Sequence, residues 1–301
     1  MNLPDAIAAA LTRAGLDPAQ IAELAQRSLD EDLLGGADVT SVATIPADQR
    51  GIADIAARAQ GVVAGLPVAA AVFAVAGDVM AGDVVVELRA KDGDAVAPGD
   101  VVLTATGPTR TLLTAERSAL NIACHLSGIA TQTRRWVDEV AGTGARILDT
   151  RKTTPGLRVL EKYAVRCGGG GGYRMGLSDA AMVKDNHVVA AGGVVAAYRK
   201  VREMFPDVPV EVECDRVSQV AEVIEAGAEL ILLDNMSLDD LRASVRVAAG
   251  RAKLEASGGL SLDRARAVAE TGVDFLSVGA LTHSAPVLDL GFDLRQITEG
   301  G

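Results

Sequence analysis

Leu230-Ile231-Leu232-Leu233-Asp234-Asn235, followed by an amphipathic stretch from Leu238 to Ala249, reads as a buried strand that ends in polar residues and then a helix. The same pattern recurs on both sides. Apolar strand-like runs occur at Ile147-Leu148, Ala181 to Val183, Val210 to Val212, Lys253 to Ala256 and Phe275 to Val278. Further helical stretches run over Ser218 to Ala226 and Leu262 to Thr271. Strands alternating with helices imply parallel βα units. The later units are 21 to 23 residues apart, measured from Glu213 to Asp234, Ser257 and Gly279. That spacing is tight for a doubly wound sheet and suits a β/α barrel.

The residues that end each strand carry the chemistry. In order they are Asp149-Thr150-Arg151-Lys152, Lys184-Asp185, Glu213, Asp234-Asn235, Ser257-Gly258-Gly259 and Gly279-Ala280. A barrel builds its site from these ends. A carboxylate such as Glu213 or Asp234, taken alone, is ordinarily a strand-end acid paired to a neighbour. Repetition at the same point of every unit argues for a shared pocket. The two glycine loops fit a phosphate, because glycine lets backbone N–H groups approach it closely.

Charge supports an anion site. Between Arg146 and His187 there are eight Lys or Arg against four Asp or Glu, about +4, while the whole chain carries −11. Unpaired cations repel, so such an island implies an anionic ligand. Gly, Thr and Pro are interleaved with the cations in Thr150-Arg151-Lys152-Thr153-Thr154-Pro155-Gly156-Leu157-Arg158, and these are turn formers rather than surface-helix residues.

Upstream, the pattern is mixed. Helices are expected over Ala6 to Ala14, over Pro18 to Asp32 with Asp17 as N-cap, and over Leu66 to Ala76 with Gly77 ending it. Strands are expected at Ile52 to Ala59 and Val84 to Ala90, with turns at Lys91 to Asp94 and Pro98 to Asp100. A long helix follows from about Ala115 to Val140, placing Ala123, Cys124 and Gly128 on one face.

Composition narrows the classes. Hydrophobic residues are 49% of 301 and aromatics only 3%, so the core consists of small aliphatic layers. No apolar run is long enough for a membrane span, and Met1 to Thr12 lack a signal-peptide pattern. Three cysteines, Cys124, Cys167 and Cys214, form no CxxC pair, which suits a cytoplasmic setting and no thiolate metal site. A pI near 4.8 disfavours nucleic acid.

The stretch from Asp149 to Val188 closely resembles the quinolinate phosphoribosyltransferases, also called carboxylating nicotinate-nucleotide pyrophosphorylases. Supporting segments are Leu112 to Thr133, Val210 to Cys214, Leu232 to Met236, Glu255 to Leu262 and Gly279 to Leu288. The resemblance implies an α/β protein of the type II phosphoribosyltransferase kind. Its N-terminal α/β sandwich domain would span residues 1–115, with 284–301 packing back on it, and an incomplete β/α barrel of six or seven strands would span 116–283. It implies magnesium-dependent transfer of phosphoribose from phosphoribosyl pyrophosphate to quinolinate with loss of carbon dioxide. It also implies a homodimer with shared sites, in which Arg117 comes from the partner subunit, and leaves a higher oligomer open.

Under that resemblance Arg151, Arg174 and Lys184 would hold the acceptor's carboxylates, with Thr150 beside them. Lys152 would hold pyrophosphate, Glu213 and Asp234 would face the ribose and Mg2+, and Ser257, Gly258 and Gly279 would take the 5-phosphate. His283 reads equally as a phosphate-side group or a structural histidine. One departure stands out: Gly172-Tyr173 occupies the place where the family usually has Asn-His. Tyrosine is neutral at pH 7 and donates one hydrogen bond. Two readings therefore stand, a quinolinate enzyme with a weaker carboxylate clamp or a relative with a different heterocyclic acid as acceptor. A non-catalytic phosphosugar-binding homologue, or another phosphate-handling barrel such as an aldolase, is the contrasting reading. The metal-facing pair argues against the first, and the cations around Lys184 against the second.

Overall fold

The computed structural model describes residues 3–297; Met1, Asn2 and Thr298–Gly301, the end of the expected 284–301 segment, lie outside the described residues. The chain forms two compact units. The first runs to Gln132 and adds Val159–Gly168 and the segment from Ala285; the second is Thr133–Arg158 with Gly169–Ser284.

In the first unit, α1 (Asp5–Arg13), α2 (Pro18–Leu33) and α3 (Val39–Thr44) precede β1 (Arg50–Ala57). Asp17 caps α2 as expected, its side chain accepting from Ala19 N at 2.9 Å. β2 (Gly61–Val62) leads into α4 (Leu66–Val79), then β3 (Val85–Leu88), β4 (Ala95–Val96), β5 (Val101–Pro108) and α5 (Thr109–Glu139). The sequence places the end of the fourth helix at Gly77; instead Gly77 lies inside α4, where an added Cβ would meet Gly82 O at 2.6 Å. Glycine is there for a close approach rather than a stop. From Leu66 to Gly77 every residue of α4 is buried. A helix apolar all round is a core helix, and each fully buried large side chain on it, such as Phe73, is worth about 1.5–3 kcal/mol.

The sheet of this unit has the order β12-β1-β5-β3, its first strand being β12 (Leu290–Gln296), antiparallel to β1. α6 (Arg158–Cys167) also packs largely here: Tyr163 Oη donates to Asp92 at 2.6 Å, and Asp92 accepts from Gly65 N and Leu66 N at the start of α4. The small face of α5 has a physical explanation. Leu288 N donates to Cys124 O at 3.0 Å, and an added Cβ at Gly128 would collide with the backbone of Pro286. Ser127 and Thr131, a turn apart, hold Ala64 N and Val62 N at 3.0 and 2.8 Å. The expected boundary at 115 falls inside α5, whose first half is part of this unit's core.

The second unit contains β6 (Arg146–Leu148), β7 (Ala181–Val183), α7 (Asp185–Ala191), α8 (Val194–Met204), β8 (Val210–Cys214) and α9 (Val217–Glu225). It continues with β9 (Leu230–Asp234), α10 (Leu238–Ala248), β10 (Lys253–Ser257), α11 (Leu262–Ala269), β11 (Phe275–Ser277) and the short α12 (Ala280–His283). All six strands are parallel, in the order β6-β11-β10-β9-β8-β7, an incomplete barrel. The strand-like runs read from the sequence are these six strands; helices α6, α7 and α8 had no separate reading there.

Glycine at 128 should be indispensable. Gly128→Ala is expected to destabilise the protein by about 3 kcal/mol or more, because backbone must move to admit the methyl. Gly142→Ala, at φ +80° with open space around it, should cost about 1–2 kcal/mol from backbone strain alone. Chemical denaturation of the two variants checks the difference, and equal midpoints would refute the packing argument.

Candidate active site

Side chains alternate along a strand, so residues two apart share a face. In β8, β9 and β10 this puts Glu211 and Glu213, Leu232 and Asp234, and Glu255 and Ser257 on one face. Register sets their levels: Glu211 is opposite Leu230, Glu213 is opposite Leu232, which is opposite Glu255, and Asp234 is opposite Ser257. The C-terminal ends of these strands are polar. Lys184 Nζ donates to Glu213 Oε2 at 2.7 Å, and Lys184 N donates to His187 Nδ1 at 2.9 Å across the first turn of α7. Asp234 accepts from Asn235 Nδ2 at 2.8 Å.

The glycine loops are shaped by close approach. Gly258 sits at φ +87°, and any Cβ there would strike the Asn235 side chain. Ser257, Gly258 and Gly259 line a pocket of about 280 Å³ with Asn235, Ser237 and Arg264. At Gly279 an added Cβ would lie 2.9 Å from Lys152 Cδ and 3.2 Å from His283 Nε2, so these three residues meet at one point. Thr282 Oγ1 donates to Lys152 O at 2.7 Å, and Lys152 N donates to Thr150 Oγ1 at 3.0 Å. Thr282 thus anchors the loop that carries Lys152, a role its place in the sequence motif did not disclose.

A second pocket, of about 550 Å³, is lined by Arg151, Arg174 and Lys184, with Met182, His187 and Lys200. Arg174 is 8% exposed and donates to Ala180 O and to Met182 S, while its Nε and that of Arg151 are buried without a hydrogen-bond partner. Burial, then the charges of Arg174 and Arg158, pushes the Arg151 guanidinium below its usual range. Asp179 adds a counter-charge nearby, but its oxygens already accept from Met175 N and Gly176 N at 2.6 and 2.9 Å. Cations crowded in this way favour a bound anion, and the forked geometry of arginine suits a carboxylate. Tyr173 does not line this pocket; its hydroxyl is buried. Arg117 lies on α5 of the first unit with its side chain 64% exposed, its nearest acid being Glu116 at 4.0 Å.

Two buried carboxyls on the same face went unread in the sequence. Glu211 and Glu255 are 0% and 3% exposed, and they act on each other. Burial first, and then Glu255, pushes the Glu211 carboxyl up to about 9; burial also raises Glu255. The signal was present, since each stands two residues before a site residue on its own strand. Among the described residues no cluster of three or more His, Cys, Asp or Glu could hold a metal by itself, and no helix is long and apolar enough to cross a membrane.

The raised carboxyl predicts a pH dependence of stability. A group whose pKa is higher in the folded state binds its proton more tightly there, so its contribution is full below the ordinary carboxyl range and is lost as pH rises towards about 9. Melting temperature should therefore fall between pH 6 and pH 9. Glu211→Gln should flatten that slope, and an unchanged slope in the variant would assign it elsewhere.

Comparison with known proteins agrees with this geometry. The family described as quinolinate phosphoribosyl transferase, C-terminal domain, matches residues 129–293, and its N-terminal domain matches residues 38–127. A nicotinate-nucleotide pyrophosphorylase [carboxylating] of Mycobacterium leprae is 49% identical over 89% of this chain and 95% of its own. A probable enzyme of the same name from Bacillus subtilis is 41% identical over 93% of this chain and 95% of its own. The crystal structure of NadC from Streptococcus pyogenes superposes with a TM-score of 0.89 at 38% identity, covering 94% of this chain and 99% of that one. With both domain patterns matched and the strand-end residues assembled as described, the chain belongs to the quinolinate phosphoribosyltransferase family.

Proposed function

We propose that this protein transfers phosphoribose from phosphoribosyl pyrophosphate to quinolinate and releases pyrophosphate and carbon dioxide, giving nicotinate mononucleotide. The observation that carries the reading is the pocket lined by Arg151, Arg174 and Lys184, three cations of which, among the described residues, only Lys184 has a carboxylate hydrogen-bonded to it. Such a site suits a small ring with two adjacent carboxylates. Lys152, beside Gly279 and His283, would hold the pyrophosphate, and the loops at Ser257, Gly258 and Gly279 the 5-phosphate.

Glu213 and Asp234 would face the ribose hydroxyls and Mg2+. Two carboxylates on neighbouring strands fit magnesium, which takes one or two such ligands together with substrate phosphates and water. When bound, the ion would neutralise charge on the departing pyrophosphate. The residues themselves position the reactants: the ring nitrogen displaces pyrophosphate at the anomeric carbon, and no protein nucleophile is needed. The ribosylated nitrogen is then cationic and accepts the electron pair left by the departing carboxylate, after which the ring carbon takes a proton. A homodimer would complete the site with Arg117 of the partner subunit.

Purified protein with phosphoribosyl pyrophosphate, magnesium and a panel of pyridine carboxylates, followed by pyrophosphate and carbon dioxide release, tests the reading. Quinolinate should be the preferred acceptor; preference for another heterocyclic acid would transfer the donor assignment intact to a different substrate. Glu213→Ala and Asp234→Ala should lower turnover by about a hundredfold or more with folding unchanged. Full activity in excess chelator would remove magnesium from the scheme.

The shared site has its own test. Arg117→Ala and Lys152→Ala, each inactive alone, should regain about a quarter of wild-type activity when mixed and allowed to exchange, since half of the dimers then carry one intact site. Mixed dimers without activity would show that the sites are not shared.

A further inference from the structure

Asp234 is the last residue of β9 and stands level with Ser257, the last of β10. The next residue, Asn235, leaves the strand at φ +53°, in the left-handed region that asparagine tolerates better than most side chains. Its backbone N–H donates to Ser257 O at 2.9 Å, so the ladder between the two strands closes one step beyond their ends. Turn and bond together fix the point from which the Asn235 side chain starts.

The other end of that side chain is seated as well. Gly258, at φ +87°, presents no Cβ; one placed there would lie 2.6 Å from Asn235 Cγ and 2.9 Å from its Nδ2. The amide therefore fills the space that any larger residue at 258 would need, and the two residues line one pocket with Ser257 and Gly259. From this seat Nδ2 donates to Asp234 Oδ2 at 2.8 Å. A carboxylate oxygen only accepts, so the NH2 group of the amide, not its carbonyl, must face it. Asp234 is partly exposed, and a strand-end carboxylate in contact with water has several rotamers open to it. One charge-assisted bond from a seated neighbour selects among them.

We propose that Asn235 is a positioning residue for the phosphosugar side of the site: held in the left-handed turn and seated on Gly258, its amide sets the Asp234 carboxylate towards the ribose hydroxyls of the donor. This deepens the functional reading above and rests on it for the donor's identity. The probe is ribose 5-phosphate, which carries the ribose hydroxyls and the 5-phosphate and has no pyrophosphate to lose.

Asn235→Gly keeps the left-handed backbone without strain and removes the amide. By calorimetry on the full chain it should weaken binding of ribose 5-phosphate by about tenfold, the lower end of what one hydrogen bond to a charged group contributes. Asn235→Asp keeps the shape but sets a second acceptor against Asp234, so it should weaken binding at least as much, and it stands in if Asn235→Gly does not fold. Because the amide acts through Asp234, adding Asn235→Gly to Asp234→Ala should cost nothing further. In turnover the KM for phosphoribosyl pyrophosphate should rise with the loss of probe binding, while the KM for quinolinate stays within about twofold, a split that a general loosening of the fold would not produce. Wild-type affinity in Asn235→Asp, additive losses in the double variant, or an equal rise of both KM values would each overturn the proposal, as would a wild-type protein that does not bind the probe. A wild-type protein that binds the probe but does not turn over quinolinate would defeat the functional reading alone, and the binding comparisons would still decide the role of Asn235.

Discussion

Everything at the candidate site depends on the register of three neighbouring parallel strands, β8, β9 and β10. Glu213, Leu232 and Glu255 are level, and Asp234 is level with Ser257. Because side chains alternate, a shift of one residue in any of these strands would move its acids from the inner face to the helix layer. The Lys184–Glu213 bond at 2.7 Å then joins the end of β7 to the same arrangement. The geometry of the candidate site and core packing are here the same constraint.

That constraint concentrates charge in an unusual way. Cations gather where Arg151, Arg174 and Lys184 border one pocket, and on the inner face of β8 and β10 the Glu211 and Glu255 carboxyls lie buried. Neither group is arranged for stability: the cations repel each other, and the carboxyls lose their hydration. Burial holds Glu211 well above the usual carboxyl range, so this face carries less negative charge than its composition suggests and leaves the cations only partly neutralised. A dianionic ligand is what completes such a distribution. The glycines serve the same end by admitting neighbours: Asn235 against Gly258, Asp149 against Gly172, and Lys152 with His283 against Gly279.

Much of this was legible in the chain. The six strand-like runs are the six strands of the sheet, and Asp17 caps its helix as read. Strand-end residues could be found because the βα period repeats and each end falls at the same phase. Other features were not legible because their cause lies far away in sequence. Gly77 looks like a helix stop until the approach of Gly82 is known, and Gly128 needs Pro286 to explain it. The long α5 begins at Thr109 rather than near Ala115, since its first turn directly continues β5 with no turn residues between them.

The sequence by itself determined the βα architecture and the basic island, because alternation of strand and helix is a local, periodic signal and the island is a matter of composition. Tertiary structure alone decided which residues became neighbours. Glu211 and Glu255 are 44 residues apart and meet only because β8 and β10 flank β9 in one curved sheet. Tyr173, which in the sequence reads as a substitute for an acceptor-binding residue, follows the bridge at Gly171 and the close approach of Asp149 to Gly172, is half-buried, and does not line the cation-rich pocket. Side-chain direction depends on backbone register and on the space left by distant groups, and neither is written in the residues beside it.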